Sequence, residues 1–389
     1  MPHAIVIGAG IGGLTAAAAL HGRGWTVDLH ERAPSREPAG SGLALGPNAL
    51  RALDTLGAGD AVRALAAMTG TGGIRRPDGT WLSRTSAEAA QARYGDPTVA
   101  VHRADLVEVL ASRLPGGTVH LGSTATDAHP DGTLTTTDAR GRRTAHRADL
   151  VVAADGIRSA VRTALFPGHP PVRYTGTTAW RGLVTAPFPD AAPGEAWGRG
   201  QIFGTVPLAG GRTYFYATAR APEGARAADE RAELRHLFGG WHHPVPALLD
   251  AVSPAALLRN DVYDLPRPLP ALHRGRIALL GDAAHPMTPN LGQGACQAIE
   301  DAVVLAHTAS AAHTGTGTGR DGGLAAYTAA RLPRTTAVMR RSHQVARLTA
   351  LSGRVPVAAR DTALRLAGLL GPTAVLRQAD MLFRWHPPT

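Results

Sequence analysis

A glycine-rich segment near the N-terminus has the residue types that hold a phosphate. Residues 8–13 read GAGIGG, which satisfies G-x-G-x-x-G, and Glu31 follows Gly10 by about 20 residues at the end of the next apolar stretch. Gly8 allows a sharp turn, Gly10 lets the backbone approach a pyrophosphate, and Gly13 allows close helix packing. Glu31 can accept hydrogen bonds from a ribose. The pattern predicts a dinucleotide site without choosing between NAD and FAD.

Two later segments add aspartate–glycine pairs. Residues 155–162 read DGIRSAVR, and residues 281–286 read GDAAHP, followed by PNLGQG at 289–294. A short carboxylate such as Asp282 suits the ribitol hydroxyls of FAD, and N–H groups of the glycine-rich turn suit the N1–C2 carbonyl edge of a flavin, where negative charge develops on reduction. Asp282 could instead be a helix N-cap, and Asp155 could belong to an ordinary turn. Arg158 and Arg162 could equally lie on a surface helix face.

The three motifs, in this order and at these intervals, resemble those of the single-component (group A) FAD-dependent aromatic hydroxylases of the para-hydroxybenzoate hydroxylase type. The resemblance spans nearly the whole chain. It implies that the 155–162 segment serves both FAD and the incoming NADPH or NADH, and that Asp282 holds the ribityl chain. It also implies that Arg103 contacts the FAD linker and that Pro289 lies against the flavin ring where oxygen reacts. Members of this family transfer oxygen to substrate from a flavin C4a-hydroperoxide.

These arguments give one set of candidate FAD-binding residues, to which Arg32 is added. The set is Gly8, Gly10, Gly13, Glu31, Arg32, Arg103, Asp155, Gly156, Arg158, Gly281, Asp282, Gly292, Gln293 and Gly294.

The middle of the chain has a residue pattern typical of a β-sheet, and this sheet could bind substrate. Segments 178–184, 201–207 and 213–219 alternate or are rich in aromatic residues, and alternate residues of a strand share one face. Either one face lines a substrate pocket or the aromatic residues fill a core. The residues in question are Trp180, Arg181, Phe203, Tyr214 and Tyr216.

Candidate catalytic residues are Pro289, Arg181 and Tyr216. Pro289 is rigid and has no N–H donor, which suits a dry pocket that protects a labile intermediate. Arg181 is the best candidate for a polar substrate contact, and Tyr216 is an acid–base candidate on chemical type alone, as is His242. His285 has small apolar neighbours, so a structural role is favoured over that of a general base.

Secondary-structure patterns predict the elements that position these motifs. Strand 3–7, helix 14–21 and strand 26–30 form the β-loop-α-β unit that begins a dinucleotide-binding sheet, and 310–323 is typical of a flexible loop. Further strands are expected at 118–120, 134–137, 149–153 and 276–280, and further helices at 47–56, 103–114, 294–307 and 325–342, the last broken at Pro333.

The predicted fold class is therefore α/β. We expect a Rossmann-like FAD-binding domain of the GR2 type, as in para-hydroxybenzoate hydroxylase, with an inserted antiparallel β-sheet substrate domain and a helical C-terminal region. The predicted boundaries are 1–174 with 265–345 for the discontinuous FAD-binding domain, 175–264 for the substrate domain, and 346–389 for the C-terminal helices.

Composition excludes several classes of partner. The 389-residue chain has a net charge of +10, with 40 basic residues, all arginine, and 30 acidic ones. The arginines are scattered and aromatic residues make up 5%, unlike the basic stripes of nucleic-acid binders. No apolar run approaches the ~20 residues that span a bilayer, and the N-terminal segment lacks a signal peptide's basic start, so we expect a cytoplasmic enzyme. The single cysteine, Cys296, is expected to be a core residue, and no metal site is expected.

The sequence thus predicts an FAD-dependent monooxygenase, monomeric or homodimeric, that uses NAD(P)H and O2 to hydroxylate an aromatic or polyketide-like small molecule. The same flavin chemistry could instead give epoxidation, Baeyer–Villiger insertion or oxidative dehydrogenation, which the motifs do not separate. The motifs are also compatible with a flavin reductase or dehydrogenase that never uses oxygen, and with a non-catalytic binding protein that keeps the nucleotide fold.

Overall fold

A computed structural model describes the secondary structure of residues 1–35, 41–65, 69–186, 188, 191–313 and 320–388. The strands are β1 His3–Ile7, β2 Thr26–Glu31, β3 Gly42–Leu45, β4 Thr71–Arg75, β5 Trp81–Ser86, β6 Val99–His102, β7 Val119–Leu121, β8 Ser123–Ala128, β9 Thr133–Asp138, β10 Arg143–Arg147, β11 Leu150–Ala153, β12 Arg173–Val184, β13 Gly194–Trp197, β14 Gln201–Pro207, β15 Thr213–Arg220, β16 Leu258–Asp264, β17 His273–Arg274 and β18 Ile277–Leu279. The helices are α1 Ile11–His21, α2 Pro47–Asp54, α3 Gly59–Arg63, α4 Ala87–Tyr94, α5 Arg103–Ala111, α6 Ala160–Leu165, α7 Glu230–Phe238, α8 Val245–Ala251, α9 Gly294–His313, α10 Arg320–Thr349, α11 Arg354–Leu369, α12 Pro372–Arg377 and α13 Asp380–Phe383.

The N-terminal motif lies on a six-stranded sheet with the order β17-β18-β11-β1-β2-β7. All its neighbouring strands pair in parallel except β17 and β18. The alanine-rich α1 is buried along almost its whole length, and it packs between β1 and the long helix α9. Because β1, β11 and β18 lie side by side, the loops that follow them meet at one edge, and these loops carry the three motifs.

A seven-stranded sheet has the order β16-β12-β15-β14-β13-β4-β5. Most of its strands come from the predicted substrate segment, but β4 and β5 come from residues 71–86, where the sequence indicated no strand. The pairing of β13 with β4 is parallel, so the sheet is not wholly antiparallel. The division into domains stays a prediction, yet the sheet itself extends beyond residues 175–264.

Helices α9 and α10 pack along each other and correct two expectations. The expected loop at 310–323 is wrong at both ends, because α9 continues to His313 and α10 begins at Arg320; residues 314–319 lie outside the described part. The expected break at Pro333 is also wrong, since α10 runs through it without interruption. Arg331 and Arg334 on either side of Pro333 bond to α9 and hold both halves of the helix in place.

Among the helices that the structure describes, none is long and apolar enough to cross a membrane.

Candidate functional site

The glycine loop after β1 forms an open cradle at the N-terminus of α1. The helix starts at Ile11, three residues earlier than the sequence indicated, so the last two glycines of the motif form its first turn. Gly8 has a φ of +99°, and a Cβ there would lie 2.5 Å from the Ala154 carbonyl oxygen. A Cβ on Gly13 would lie 1.9 Å from the Gly8 oxygen, whereas one on Gly10 would meet no described protein atom within 4 Å. Gly10 is thus the position open to a ligand.

Glu31, at the end of β2, holds this loop in place through hydrogen bonds. Its two carboxylate oxygens accept hydrogen bonds from the backbone N–H groups of Ala9 (2.7 Å) and Ala33 (2.9 Å). A carboxylate oxygen has a further lone pair, so Glu31 can still accept a ribose hydroxyl. The adjacent Arg32 side chain is exposed.

The 155–162 segment lies beside the cradle. One oxygen of Asp155 accepts the Val161 N–H at 3.3 Å, while its buried Oδ1 has no hydrogen-bond partner in the described part of the chain. A buried polar atom of this kind calls for a missing partner, which fits a bound group. Gly156 takes a φ of +79°, and Arg158 is exposed, 5.8 Å from the Tyr263 ring centroid.

Arg162 does not lie on a surface helix face, which the sequence had left open for it. Its side chain is buried and donates hydrogen bonds to the carbonyl oxygens of Asp282 (3.2 Å), Ala283 (3.0 Å) and Ile157 (2.6 Å). It therefore fastens the 155–162 segment to the 281–286 segment.

Asp282 lies near Arg103, at the start of α5, and each affects the pKa of the other; the space beside Asp282 between the 155–162 and 281–286 segments is called the groove below. Gly281 adopts a φ of +59°, and its N–H donates to Asp301 at 3.0 Å, which fixes the turn. The Asp282 side chain is open to the groove yet surrounded by protein, and this desolvation raises its pKa against the opposing effect of His285 and Arg103. Desolvation likewise lowers the pKa of Arg103, which Asp282 opposes. No described residue forms a hydrogen bond with the Asp282 carboxyl, so it is available to ribitol hydroxyls.

A glycine turn joins this groove to the N-terminus of α9. Pro289 begins a single 3₁₀ turn, Gly292 takes a φ of +60°, and Gly294 starts the helix. A Cβ on Gly294 would have only Asp282 Oδ1, at 3.9 Å, within 4 Å among the described atoms. The first N–H groups of α9 therefore face open space beside the carboxyl, as a flavin edge requires.

For Gln293 the prediction concerned the backbone N–H groups of the 292–294 turn, and the structure shows where its side chain lies. It is buried, and its Oε1 accepts hydrogen bonds from Asn48 (3.1 Å) and Gln297 (3.2 Å). Its interior polar partners turn the side chain away from the groove, so only its backbone remains for a cofactor contact.

One face of the seven-stranded sheet carries Arg181, Tyr214 and Tyr216. Arg181 and Tyr216 are directly opposed on β12 and β15, so their side chains share a face. Arg181 donates to Asn260 at 3.0 Å and lies near Arg103 and Tyr214, rather than on the wall of the main cavity. Trp180 is buried on the opposite face with Phe203, so both of these aromatic residues fill a core.

The main cavity has a volume of about 420 Å³ and lies between this sheet and α10. Tyr216 and Glu195 line it from the sheet, Pro289 and Asn290 from the glycine turn, and Arg347 from α10. The cavity thus joins two of the predicted catalytic residues, Pro289 and Tyr216, to the turn at the start of α9. His242 lies outside it and bonds to the neighbouring His243 carbonyl.

A buried ionic network behind the groove was missed by the sequence argument. On α9, Glu300 and Asp301 are fully buried, and Arg331 of α10 bonds to both. Asp301 also accepts a hydrogen bond from His285 at 2.5 Å. Burial alone would raise the pKa of Asp301, but His285 and Arg331 hold it well below its usual range. The only signal in the sequence is the acidic pair in an otherwise apolar helix. His285 has the structural role expected, and Cys296 is buried in the core as predicted.

The sequence and the fold of the chain match those of known proteins. Residues 2–342 match the family model described as FAD binding domain. The chain is 42% identical over 311 residues to the aurachin C monooxygenase/isomerase of Stigmatella aurantiaca, covering 79% of this chain and 80% of that protein. It is 36% identical over 400 residues to the 3-amino-4-hydroxybenzoate 2-monooxygenase of Streptomyces cremeus, covering 97% of each. The crystal structure of Klebsiella pneumoniae HpxO with FAD and uric acid matches with a TM-score of 0.87 at 29% identity, covering 98% of this chain and 97% of that one.

The fold and the cofactor expectation are confirmed by these matches. The similarity covers nearly the whole chain, including the sheet that carries the main cavity, and the relatives are monooxygenases. The chain belongs to the FAD-binding-domain family of flavoprotein aromatic hydroxylases and is an FAD-dependent monooxygenase.

Proposed function

We propose that the enzyme takes electrons from NADPH or NADH, consumes O2, and hydroxylates a small aromatic or polyketide-like molecule held in the main cavity. One observation carries this proposal: the cavity wall includes Pro289, which begins the turn that ends at the N-terminus of α9. A substrate in the cavity and a flavin edge at that turn would therefore be in contact.

In this proposal, each groove residue contacts a different part of the FAD molecule. The N-terminus of α1 at Gly10 receives the pyrophosphate and Glu31 the adenosine ribose, while Asp282 accepts hydrogen bonds from the ribityl hydroxyls. Arg103 lies near Asp282, where it balances the carboxylate and reaches the linker. When bound, FAD supplies hydride acceptance and oxygen activation.

The protein contributes electrostatics and a dry pocket. The first N–H groups of α9 after Gly292 stabilise negative charge on the reduced ring without reorganisation. Pro289 brings no donor N–H to the reacting face, which limits proton leakage. Arg158 serves the nicotinamide step in this proposal, and its exposure beside Tyr263, where a transient NAD(P)H can reach it, supports that role.

The relatives favour a ring with an acidic proton as substrate, since uric acid and 3-amino-4-hydroxybenzoate both have one. A second candidate is oxygenation followed by rearrangement, favoured by the 42% identity to a protein named as a monooxygenase/isomerase. The proposal further includes a cytoplasmic location, where NAD(P)H is regenerated, and a monomer or homodimer.

The test is turnover of a small panel containing uric acid, 3-amino-4-hydroxybenzoate and aurachin C. Purified holoenzyme is expected to oxidise NADPH or NADH faster with at least one of them, with matching oxygen uptake and one ¹⁸O atom from labelled O2 in the product. Stimulated NAD(P)H oxidation with no oxygen uptake would support a reductase instead. Label in hydrogen peroxide but not in any organic product would also contradict the monooxygenase proposal.

A further inference from the structure

Glu195 is a carboxylic acid on the wall of the main cavity that no motif predicted. It lies on β13, where its backbone pairs with Gly204 of β14. Its Oε1 accepts the hydroxyl proton of Tyr216 at 2.5 Å, and its Oε2 accepts the indole N–H of Trp197 at 2.6 Å. Glu195 and Tyr216 both line the cavity, so the pair forms a chain from the substrate space into the sheet.

Gly204 makes room in the sheet for the Tyr216 ring of this pair. Gly204 is directly opposite Tyr216 on β15, and a Cβ at that position would lie 2.2 Å from the Tyr216 ring. A residue with a side chain there would push the ring off the sheet. The glycine therefore lets the Tyr216 ring lie flat and brings its hydroxyl to Glu195.

The two hydrogen bonds suit an ionised carboxylate at Glu195. Both partners of Glu195 donate, so its oxygens act only as acceptors, as an ionised carboxylate does. Burial raises the pKa of Glu195, against the effect of the two donors, so the carboxylate is a stronger base than an exposed glutamate. Burial, followed by the nearby Glu195, raises the pKa of Tyr216 well above its usual range, so this hydroxyl remains protonated and able to relay a proton.

Other charges near the pair already have partners or lie apart. Across the cavity, Asp264 pairs with Arg173 and His343. On the sheet itself, Arg181 is opposite Tyr216 and bonds to Asn260, the Tyr214 ring lies 6.1 Å from the Tyr216 ring, and Tyr174 lines the cavity further along. The other charged or titratable side chains around this wall are Arg347 on α10, Arg75 and His242 in a small adjoining cavity, and Arg360 with its partner Asp361 beside Trp197. Among the described residues that line the main cavity, Glu195 and Asp264 are the carboxyl groups, and Asp264 already pairs with Arg173 and His343.

We propose that Glu195, acting through the Tyr216 hydroxyl, accepts the proton of an acidic O–H or N–H group on the aromatic substrate. The substrate proton moves to Tyr216 Oη as the proton of Tyr216 moves to Glu195 Oε1, so one O–H or N–H bond breaks on the substrate and one O–H bond forms on the glutamate. No electrons are transferred. The substrate is left as an anion with a more electron-rich ring, and the proton returns by the same route on product release.

This inference rests on the proposed function and narrows its substrate class to rings with an ionisable proton. The key variant is Glu195→Gln, which keeps the size and an acceptor oxygen but takes up no proton. Glutamine places an amide NH2 opposite one of the two donors, so the thermal midpoint of this variant is measured beside its activity. The matched control is Glu230→Gln, because Glu230 likewise accepts an indole N–H, from Trp180 at 2.7 Å, but faces away from the cavity.

The readout is single-turnover product formation, with photoreduced enzyme mixed with oxygenated buffer and the panel compound that wild type oxygenates. Below the solution pKa of that compound, Glu195→Gln is expected to form product about 100-fold more slowly than wild type, within the usual range for acid–base assistance. The rate should recover as the pH rises through that pKa, because the substrate then arrives as an anion. FAD content and flavin reduction by NAD(P)H should match those of Glu230→Gln.

Two further variants test the relay. Tyr216→Phe should show the same pH profile, and the double variant should be no slower than the slower single variant, because both changes break one chain. Glu195→Asp, which keeps a carboxylate, should partly restore the low-pH rate. A wild-type rate for Glu195→Gln at low pH, or a loss that is equal at every pH, would overturn the inference. If wild type itself oxygenates none of the panel, the proposed function has failed rather than the relay alone.

Discussion

Replacing Gly10 with alanine should abolish tight FAD binding while leaving the protein folded. Gly10 has φ −72° and ψ 178°, which alanine adopts without strain, and its Cβ would touch no described protein atom within 4 Å. That Cβ would instead project into the open cradle at the N-terminus of α1. The consequence should therefore appear in cofactor affinity and not in stability.

The expected magnitudes follow from these contacts. A compatible Gly→Ala change stabilises by about 0.4–1 kcal/mol through the unfolded chain, and alanine is a poorer N-cap than glycine by a similar amount. The free energy of unfolding of the apoprotein should thus change by less than about 1 kcal/mol. Holding the pyrophosphate away removes two or more hydrogen bonds to a charged group, each of about 1.5–3 kcal/mol, so FAD affinity should fall at least about 100-fold.

The assay is fluorescence titration of deflavinated protein with FAD, beside the thermal midpoint of the apoprotein. Gly22→Ala at the other end of α1 is the control, because its φ is −61° and its nearest contact would be an ordinary 3.4 Å. Gly13→Ala should do the opposite of Gly10→Ala and lower the thermal midpoint, because its Cβ would collide with the Gly8 oxygen. FAD affinity within about threefold of wild type for Gly10→Ala would refute this placement of the pyrophosphate.

Four other outcomes are expected. Asp282→Ala should lose FAD on gel filtration, since the carboxyl that is open to the groove is gone, and wild-type occupancy would count against the ribityl contact. Arg158→Ala should slow flavin reduction in stopped flow by about 10-fold or more while FAD affinity stays unchanged, and equal reduction rates would reject its nicotinamide role. Arg331→Met should cost about 3–5 kcal/mol in calorimetry by leaving two buried carboxylates without this partner, clearly more than the same change at the less buried Arg334. Burial lowers the pKa of His30 to about 4, so stability should fall by up to about 3 kcal/mol as the pH drops from 6.5 towards 4, and a His30→Leu variant should flatten this slope in denaturant unfolding.

The parts of the fold that could be predicted are those whose signal is local. The cradle of residues 8–13 follows from Gly8 and Gly13, whose conformation or contacts exclude a side chain, and Gln201–Pro207 matches its predicted bounds because a strand's signal is visible in seven residues. Strands β4 and β5 escaped prediction because their apolar content is low and they are stabilised by pairing with β13, about 120 residues later. Pairing over that distance leaves no local trace.

The residues of the candidate site also differ in whether a local sequence signal marks them. Asp282 and Gly292 could be proposed from the sequence because local motifs mark their backbone turns, whereas the inward direction of the Gln293 side chain depends on partners on α2 and α9. Likewise, Glu195 had no motif to mark it. Its place on the cavity wall depends on the strand order of the sheet and on the missing side chain at Gly204.

The buried acidic pair on α9 links the stability of the fold to the position of the turn at Gly281. Asp301 bonds to the Gly281 N–H, to His285 and to Arg331, so the turn that presents Asp282 is held by a charge whose compensation comes from α10. A lost partner would leave that carboxylate undercompensated in the core, at a cost much larger than a single neutral hydrogen bond. The position of Asp282, which we propose holds the ribityl chain, therefore depends on a turn that Asp301 fixes from the core. Substitutions in α10 should accordingly change FAD affinity even though Arg331 lies in the core behind the groove and not on its wall.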